Sequence, residues 1–196
     1  MSKIQIQKLK KENKWLKELA YKDELTALYN RRGFKSEAEK FLKEVVAFKK
    51  MPEKRWSFLI KNFALVLFDI DNFKKLNDTY GHKTGDRVLK TLSSLILERI
   101  RDIDLAARWG GEEIILGLIG AHENDAYSIA DDIRKKIAEK KFRRRNKSLK
   151  FTISGGVADF SQAKNFNDLF ELADKAMYKA KRQGKNRIVK ASEMLR

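Results

Sequence analysis

Residues 63–71 read FALVLFDID, an apolar run that stops on two carboxylates. A stretch this short is a buried strand, since a membrane-spanning helix needs about 20 apolar residues. No run in the chain approaches that length. Around this strand the periodicity predicts a polar helix over 3–22, a turn in DELTALYNRRGF (23–34), and a second helix to about Lys50. Further on it predicts a helix in VLKTLSSLILERI (88–100), strands at 105–109 and 114–119, and a helix over 124–140. The C-terminal part reads as a strand in FTISGGVADF (151–160), a helix over 165–184, and a short strand in NRIVK. Strand, helix, strand, strand, helix, strand is the βαββαβ order of a ferredoxin-like palm. The expected fold is therefore α+β: a central, mostly antiparallel sheet with two helices packed on one face, preceded by an N-terminal helix.

The division expected is 1–22 for the helix and 23–196 for the globular domain. Within the helix Ile6, Leu9, Asn13, Leu16 and Ala20 fall on heptad a and d positions. That pattern suits a short parallel coiled coil with Asn13 setting register; a lone amphipathic helix packed on the domain is the alternative. A formal net charge of +17 points to an anionic partner, or simply to solvated lysines. The absence of cysteine excludes disulfides and thiolate metal sites, and MSKIQIQKLKKENK lacks the apolar core of a secretory signal. A cytoplasmic setting with no membrane segment in this chain is the expectation.

In a palm of this order the end of the first strand lies beside the hairpin of the next two, which carries RWGGEEI (108–114). Asp69 would then meet Glu112 and Glu113. Carboxylates gathered this way repel unless a hard cation lies between them, and magnesium suits such a set together with phosphate oxygens. Gly110 and Gly111 would let a ligand approach the backbone. Taken alone, GGEE reads as readily as a solvated turn. Downstream of the strand, FDIDNFKKLNDTYGHKTGDRVL (68–89) supplies further polar groups. Asn77 and Asp86 have the acceptors and donors to read a guanine edge, and Lys74 with the amides near Asn72 and Phe73 can meet phosphate. Lys181 and Lys185 stand one helical turn apart if the helix runs on, and could face phosphates together; plain surface charge is the alternative.

The motifs DELTALYNRRGF, FDIDNFKKLNDTYGHKTGD, RWGGEEI, SGGVA and ADKAMYKAKRQGKN, in this order, closely resemble the GGDEF domain, the diguanylate cyclase module. The likeness covers roughly residues 23–190. It implies condensation of two GTP into cyclic di-GMP with release of two pyrophosphates, one GTP per domain of a homodimer. It implies magnesium or manganese, two ions per half-site, held by Asp69, the carbonyl of Ile70, Glu113 and Glu112. Glu112 could instead accept the 3′-hydroxyl proton. Asn77 and Asp86 would read guanine, with His82 nearby in the same motif. Asn72, Phe73, Lys74, Gly110 and Gly111 would line the substrate, and Lys181 and Lys185 would meet its phosphates. Arg101 and Asp104 match the family's RxxD, implying a site for cyclic di-GMP as product and inhibitor; an ordinary helix-end salt bridge between the two is the alternative. The family also implies an upstream sensor domain in a longer protein, since only about 22 residues precede DELT.

Three features depart from the pattern. Ile114 replaces the signature's final aromatic and should point into the core. Lys185 stands where the family usually has Arg, exchanging a two-pronged phosphate contact for a point charge. The segment around FKKMPEKRWSFLIKN makes the chain about a dozen residues longer than expected between Arg32 and Asp69. A nucleic-acid partner, suggested by the net charge and by RRRNK at 143–147, is not expected, because no aromatic-studded recognition motif accompanies it.

Overall fold

The computed structural model describes residues 3–50, 60–140, 142–144 and 147–194. The middle of the long segment before β2, the RRRNK side chains and the side chain of Asn13 lie outside the described residues. In chain order the elements are α1 (Lys3–Tyr21), β1 (Tyr29–Asn30), α2 (Arg31–Lys50), β2 (Phe63–Ile70), α3 (Phe73–Tyr80) and α4 (His82–Leu97). Then come β3 (Leu105–Arg108), β4 (Glu113–Ile119), α5 (Glu123–Glu139) and a small ribbon of β5 (Phe142–Arg144) and β6 (Lys147–Leu149). The chain closes with β7 (Ile153–Asp159), α6 (Phe166–Arg182), β8 (Ile188–Lys190) and a 3₁₀ turn (Ala191–Met194).

The main sheet has the order β1-β3-β4-β2-β7-β8. Its four central strands are antiparallel, and the outer pairs β1–β3 and β7–β8 are parallel. This is the expected palm, widened by one strand at each edge. Sequence reasoning missed β1 and the β5–β6 ribbon; two- and three-residue strands carry no periodicity to read.

Every residue of β2 is buried, and the period of two sorts them cleanly. Val66, Phe68 and Ile70 pack with Val88, Leu92 and Ile96 of α4 and Ile133 and Ile137 of α5. Phe63, Leu65 and Leu67 pack on the other face with Phe34 and Leu42 of α2 and Leu169 and Met177 of α6. Helices therefore cover both faces, not one. The cause is α2, whose Phe34, Ala38, Leu42 and Val45 form an apolar stripe that must be buried against something. An uninterrupted apolar strand is what a sheet covered on both sides requires.

Two local features place the ends of elements where the site needs them. Gly81, with φ of 82°, closes α3 and lets α4 begin at His82, six residues before the helix the periodicity predicts. Gly156 lets α6 lie directly on the sheet, because a Cβ there would stand 2.0 Å from the Ala173 carbonyl oxygen and 2.3 Å from the Met177 nitrogen. That contact carries the last turn of α6 to the C-terminal end of β2. Ile114 is fully buried, as expected for a core position. On α1, Ile6, Leu9 and Leu16 are exposed.

Candidate active site

Strand register brings the acids together. Asp69 pairs with Glu113 across β2–β4 and with Ser154 across β2–β7. The Ile70 amide donates to the Glu112 carbonyl at 3.4 Å, which ties the strand end to the hairpin. The hairpin tip is held by Arg108, whose Nη2 and Nε donate to the Gly111 carbonyl at 2.8 and 3.2 Å. Arg108 also pairs with Asp23 of the DELT turn at 3.4 Å. Gly110 makes room for catalytic-side geometry: a Cβ there would lie 2.5 Å from Glu113 Oε2.

The electrostatics of the three acids agree with crowding. Burial pushes the Asp69 carboxyl up, against the opposing Lys181 ammonium. Burial and then the charge of Asp69 raise both Glu112 and Glu113. Lys181 Nζ lies 2.7 Å from Asp69 Oδ2, so the lysine expected on phosphate here neutralises the strand-end acid. Among the described residues, no three His, Asp or Glu side chains stand together at metal-holding distance. Asp69 and Glu113 occupy paired positions on two strands with a lysine beside them, not a closed set of three ligands. The donor set still fits a hard divalent ion: oxygen donors only, raised in proton affinity by burial and, for the two glutamates, by the Asp69 charge, with Gly110 leaving space at Glu113.

Beside Glu112 opens a cleft of about 450 Å³ lined by Phe73, Lys74, Asn77, Asp78, His82, Asp86, Leu89, Arg108, Gly111 and Glu112. Asn77 from α3 and His82 and Asp86 from α4 thus share one cavity, because the Gly81 break sets the two helices side by side. Asn77 Oδ1 is buried against Gly85 without a hydrogen-bond partner. The Phe73 side chain is largely in the core, so its contribution to the rim is chiefly its amide. That amide belongs to the first turn of α3, which begins at Asn72 in the left-handed region (φ 57°) with no side-chain cap. Uncapped amides at a helix start attract anions. A second cleft of about 630 Å³ runs from Glu113 and Lys181 along Asp174, Tyr178 and Arg182.

Two expectations need correction. Lys185 does not share a helix face with Lys181. Helix α6 ends at Arg182, Gly184 turns at φ 109°, and the Lys185 amide closes the helix on the Ala180 carbonyl. Lys185 reaches the site from that turn, its Nζ donating to Asn72 Oδ1. Asp104, expected to take guanine donors, is buried and saturated. Its Oδ2 accepts from the Arg101 amide and Nε, and its Oδ1 from Arg101 Nη2 and the Ile119 amide. Arg101 Nη2 also donates to the Ile119 carbonyl at 2.6 Å. The arginine side chain is 64% exposed, so only Arg101 of the pair is open to a ligand here.

Sequence reasoning did not single out Arg108, Asp23 or Asn186 as functional, and gave Asp71 no role. For Asp71 a signal existed, the second acid of FDID. For the others the partner lies too far along the chain to be read.

Comparison with known proteins follows the same lines. The family described as "Diguanylate cyclase, GGDEF domain" matches residues 20–187, and the chain belongs to it. It is 39% identical over 129 residues to diguanylate cyclase A of Treponema denticola, covering 65% of this chain and 35% of that protein. It is 35% identical over 176 residues to diguanylate cyclase DgcM of Escherichia coli, covering 90% of this chain and 40% of that protein. The chain thus spans well under half the length of these curated relatives. Among solved structures it is similar to the coiled coil and GGDEF domain of DgcB from Caulobacter crescentus in complex with c-di-GMP, with a TM-score of 0.83 and 27% identity, covering 95% of this chain and 94% of that one. Among the described residues no helix is long and apolar enough to cross a membrane.

Proposed function

We propose that this chain is a diguanylate cyclase domain that joins two GTP into cyclic di-GMP. The observation that carries the reading is the pairing of Asp69 with Glu113 on adjacent strands, beside a cleft holding Asn77 and Asp86. The 3′-oxygen of one GTP attacks the α-phosphorus of the other, the bond from that phosphorus to the bridging oxygen breaks, and pyrophosphate leaves with the electron pair. The same step with roles exchanged closes the ring. Since one domain binds one GTP, a homodimer must bring the two nucleotides face to face. Asp69, Glu112, Glu113 and the Ile70 carbonyl would hold two magnesium or manganese ions, which supply charge neutralisation on the phosphates when bound. Asn77 and Asp86 orient guanine from the two helices that line the cleft. The first amides of α3, with Lys74, Lys181 and Lys185, hold the triphosphate. Glu112, raised by burial and by Asp69, is the group that would take the 3′-hydroxyl proton in place of a metal contact. Incubation with GTP and magnesium, with ATP in parallel, tests this by product mass; unchanged GTP, or equal use of ATP, overturns it.

Two regulatory features belong to the same reading. Arg101 binds cyclic di-GMP as an inhibitor after leaving its contacts with Asp104 and Ile119. Arg101→Ala then raises the inhibition constant about tenfold or more, the loss expected for charge-assisted hydrogen bonds; equal constants in variant and parent refute the site. The exposed Ile6, Leu9 and Leu16 of α1 form a parallel coiled coil with a second copy, through which an upstream sensor would set dimer geometry. Sedimentation of a chain lacking residues 1–22 should show lost association, and unchanged association rejects that role.

A further inference from the structure

Asp71 is a buried carboxylate that the chemistry above leaves unused. It lies just past the end of β2 and is 5% exposed. Its Oδ1 accepts from Ser154 Oγ at 2.7 Å; its Oδ2 accepts from Thr152 Oγ1 at 2.6 Å and from the Asn186 amide at 3.0 Å. Its own amide donates to the Thr152 carbonyl at 2.9 Å. One side chain thus fastens the end of β2 to the start of β7 and to the turn after α6. From the other side, Arg134 of α5 donates to Asn186 Oδ1 at 2.9 Å while its Nε is held by Asp131 at 2.7 Å.

The turn so gripped is one that needs holding. Lys185 and Asn186 are consecutive non-glycine residues with φ of 64° and 47°. Such residues persist in the left-handed region when their surroundings over-determine them. The outcome is that Lys185 Nζ reaches Asn72 Oδ1. Asn72 follows Asp71 directly and opens α3 at φ 57°. Both ends of that bridge are therefore set by Asp71: Asn72 through the chain, Lys185 through Asn186. A lysine makes this arrangement necessary. Its single charge on a flexible stem lacks the fixed fork of arginine, so its base has to be immobilised instead.

We propose that Asp71 is a positioning residue for triphosphate recognition, fixing Lys185 and the left-handed start of α3 in one geometry through the Asn186 turn. This rests on the reading of Lys185 as a phosphate ligand. Binding of guanosine 5′-(β,γ-methylene)triphosphate and of GMP separates the two ideas. Asp71→Asn should weaken the triphosphate about tenfold, the loss expected for hydrogen bonds to a charged group, while GMP affinity stays within twofold. Lys185→Ala should weaken the triphosphate to a similar degree. The double variant should be no weaker than the worse single one, because both remove the same contact. If Lys185→Ala leaves triphosphate affinity unchanged, the phosphate role of Lys185 fails and takes this proposal with it. If Lys185→Ala weakens binding but Asp71→Asn does not, or the two effects add, or GMP is lost in parallel, Asp71 is only a structural buried acid and the proposal alone is overturned. Should Asp71→Asn not fold, Thr152→Val removes one donor to the same oxygen. It should give a smaller loss that is again non-additive with Lys185→Ala, and additivity there is equally decisive against it.

Discussion

At the C-terminal end of β2 stand Asp69, Glu112 and Glu113; at its other end, against the same sheet, stand Glu123 and Asp159. Both groups are acids taken out of water, yet the fold treats them in opposite ways. Burial would push the Asp159 carboxyl up, but donors from Ser161, the Glu123 amide and Asn62 hold it below the ordinary carboxylate range. Its Oδ2 accepts from the Glu123 amide at 2.8 Å, and its Oδ1 from the Ser161 amide and hydroxyl. Glu123 Oε1 in turn accepts from Gln162 and the Ser192 amide. At the Asp69 end burial prevails and the Asp69 charge raises both glutamates, with Lys181 as the ion-pair partner of Asp69. A saturated buried carboxylate fastens loops. A crowded one whose charge is met by a single lysine is a site that a cation can complete.

Exchanging the same atoms at each end gives the largest contrast. Asp69→Asn should lower turnover of GTP by about 10³-fold or more, the loss expected when several kcal/mol of charge stabilisation is removed. Asp159→Asn should keep turnover and lower the thermal midpoint by roughly 5 °C, as buried amides and a hydroxyl lose a charged acceptor. Product chromatography and calorimetry on both variants check this, and a loss of turnover in Asp159→Asn would blur the division.

The pH dependence should separate the two ends next. Asp159 is lowered in the folded state, so its contribution is full above the ordinary carboxylate range and is lost as pH falls through its depressed value. Asp69, Glu112 and Glu113 are raised, so theirs is present below that range and lost as pH rises through their raised values. At neutral pH without divalent ions the triad therefore costs stability, and Glu113→Gln should raise the thermal midpoint by a few degrees. Magnesium needs the ionised acids, so its stabilisation of the parent should shrink as pH falls toward the raised values. A magnesium effect independent of pH would count against carboxylate ligation.

The smallest contrast lies inside the site. Gly110→Ala sets a methyl against Glu113 Oε2 and should reduce kcat roughly 10- to 100-fold by displacing that carboxylate, with little change in thermal midpoint. A Cβ at Gly111 meets no atom within 4 Å, so Gly111→Ala should be the milder of the two. The reverse order, read from steady-state kinetics, would mean that Glu113 position is not what Gly110 protects.

Much of this was legible along the chain. FALVLFDID declared a buried strand with acids at its end, and RWGGEEI declared the hairpin that faces it. Their pairing followed from the βαββαβ order. The helix start at His82 was not legible, since GHKTGD reads as loop until Gly81 is seen to break one helix from the next. The second helical face was missed, although the uninterrupted apolar run of β2 carried its signal; its occupants, α2 and α6, lie on either side of the palm in the chain. Lys185 was expected one helical turn from Lys181, although Gly184 in RQGKN is a stop signal that places Lys185 beyond the helix.

The sequence by itself determined which chemistry is available: oxygen ligands at strand ends, amides near Asn72 and Phe73, lysines after SGGVA, and no thiols. Those follow from residue type, period and turn residues, which act over a few positions. Tertiary structure alone decided the partners: Lys181 on Asp69, Asn186 on Asp71, Arg101 on the Ile119 carbonyl. Such contacts depend on strand register and on how closely α6 can lie on Gly156. A slip of one residue in strand register would turn the same side chains to the opposite face.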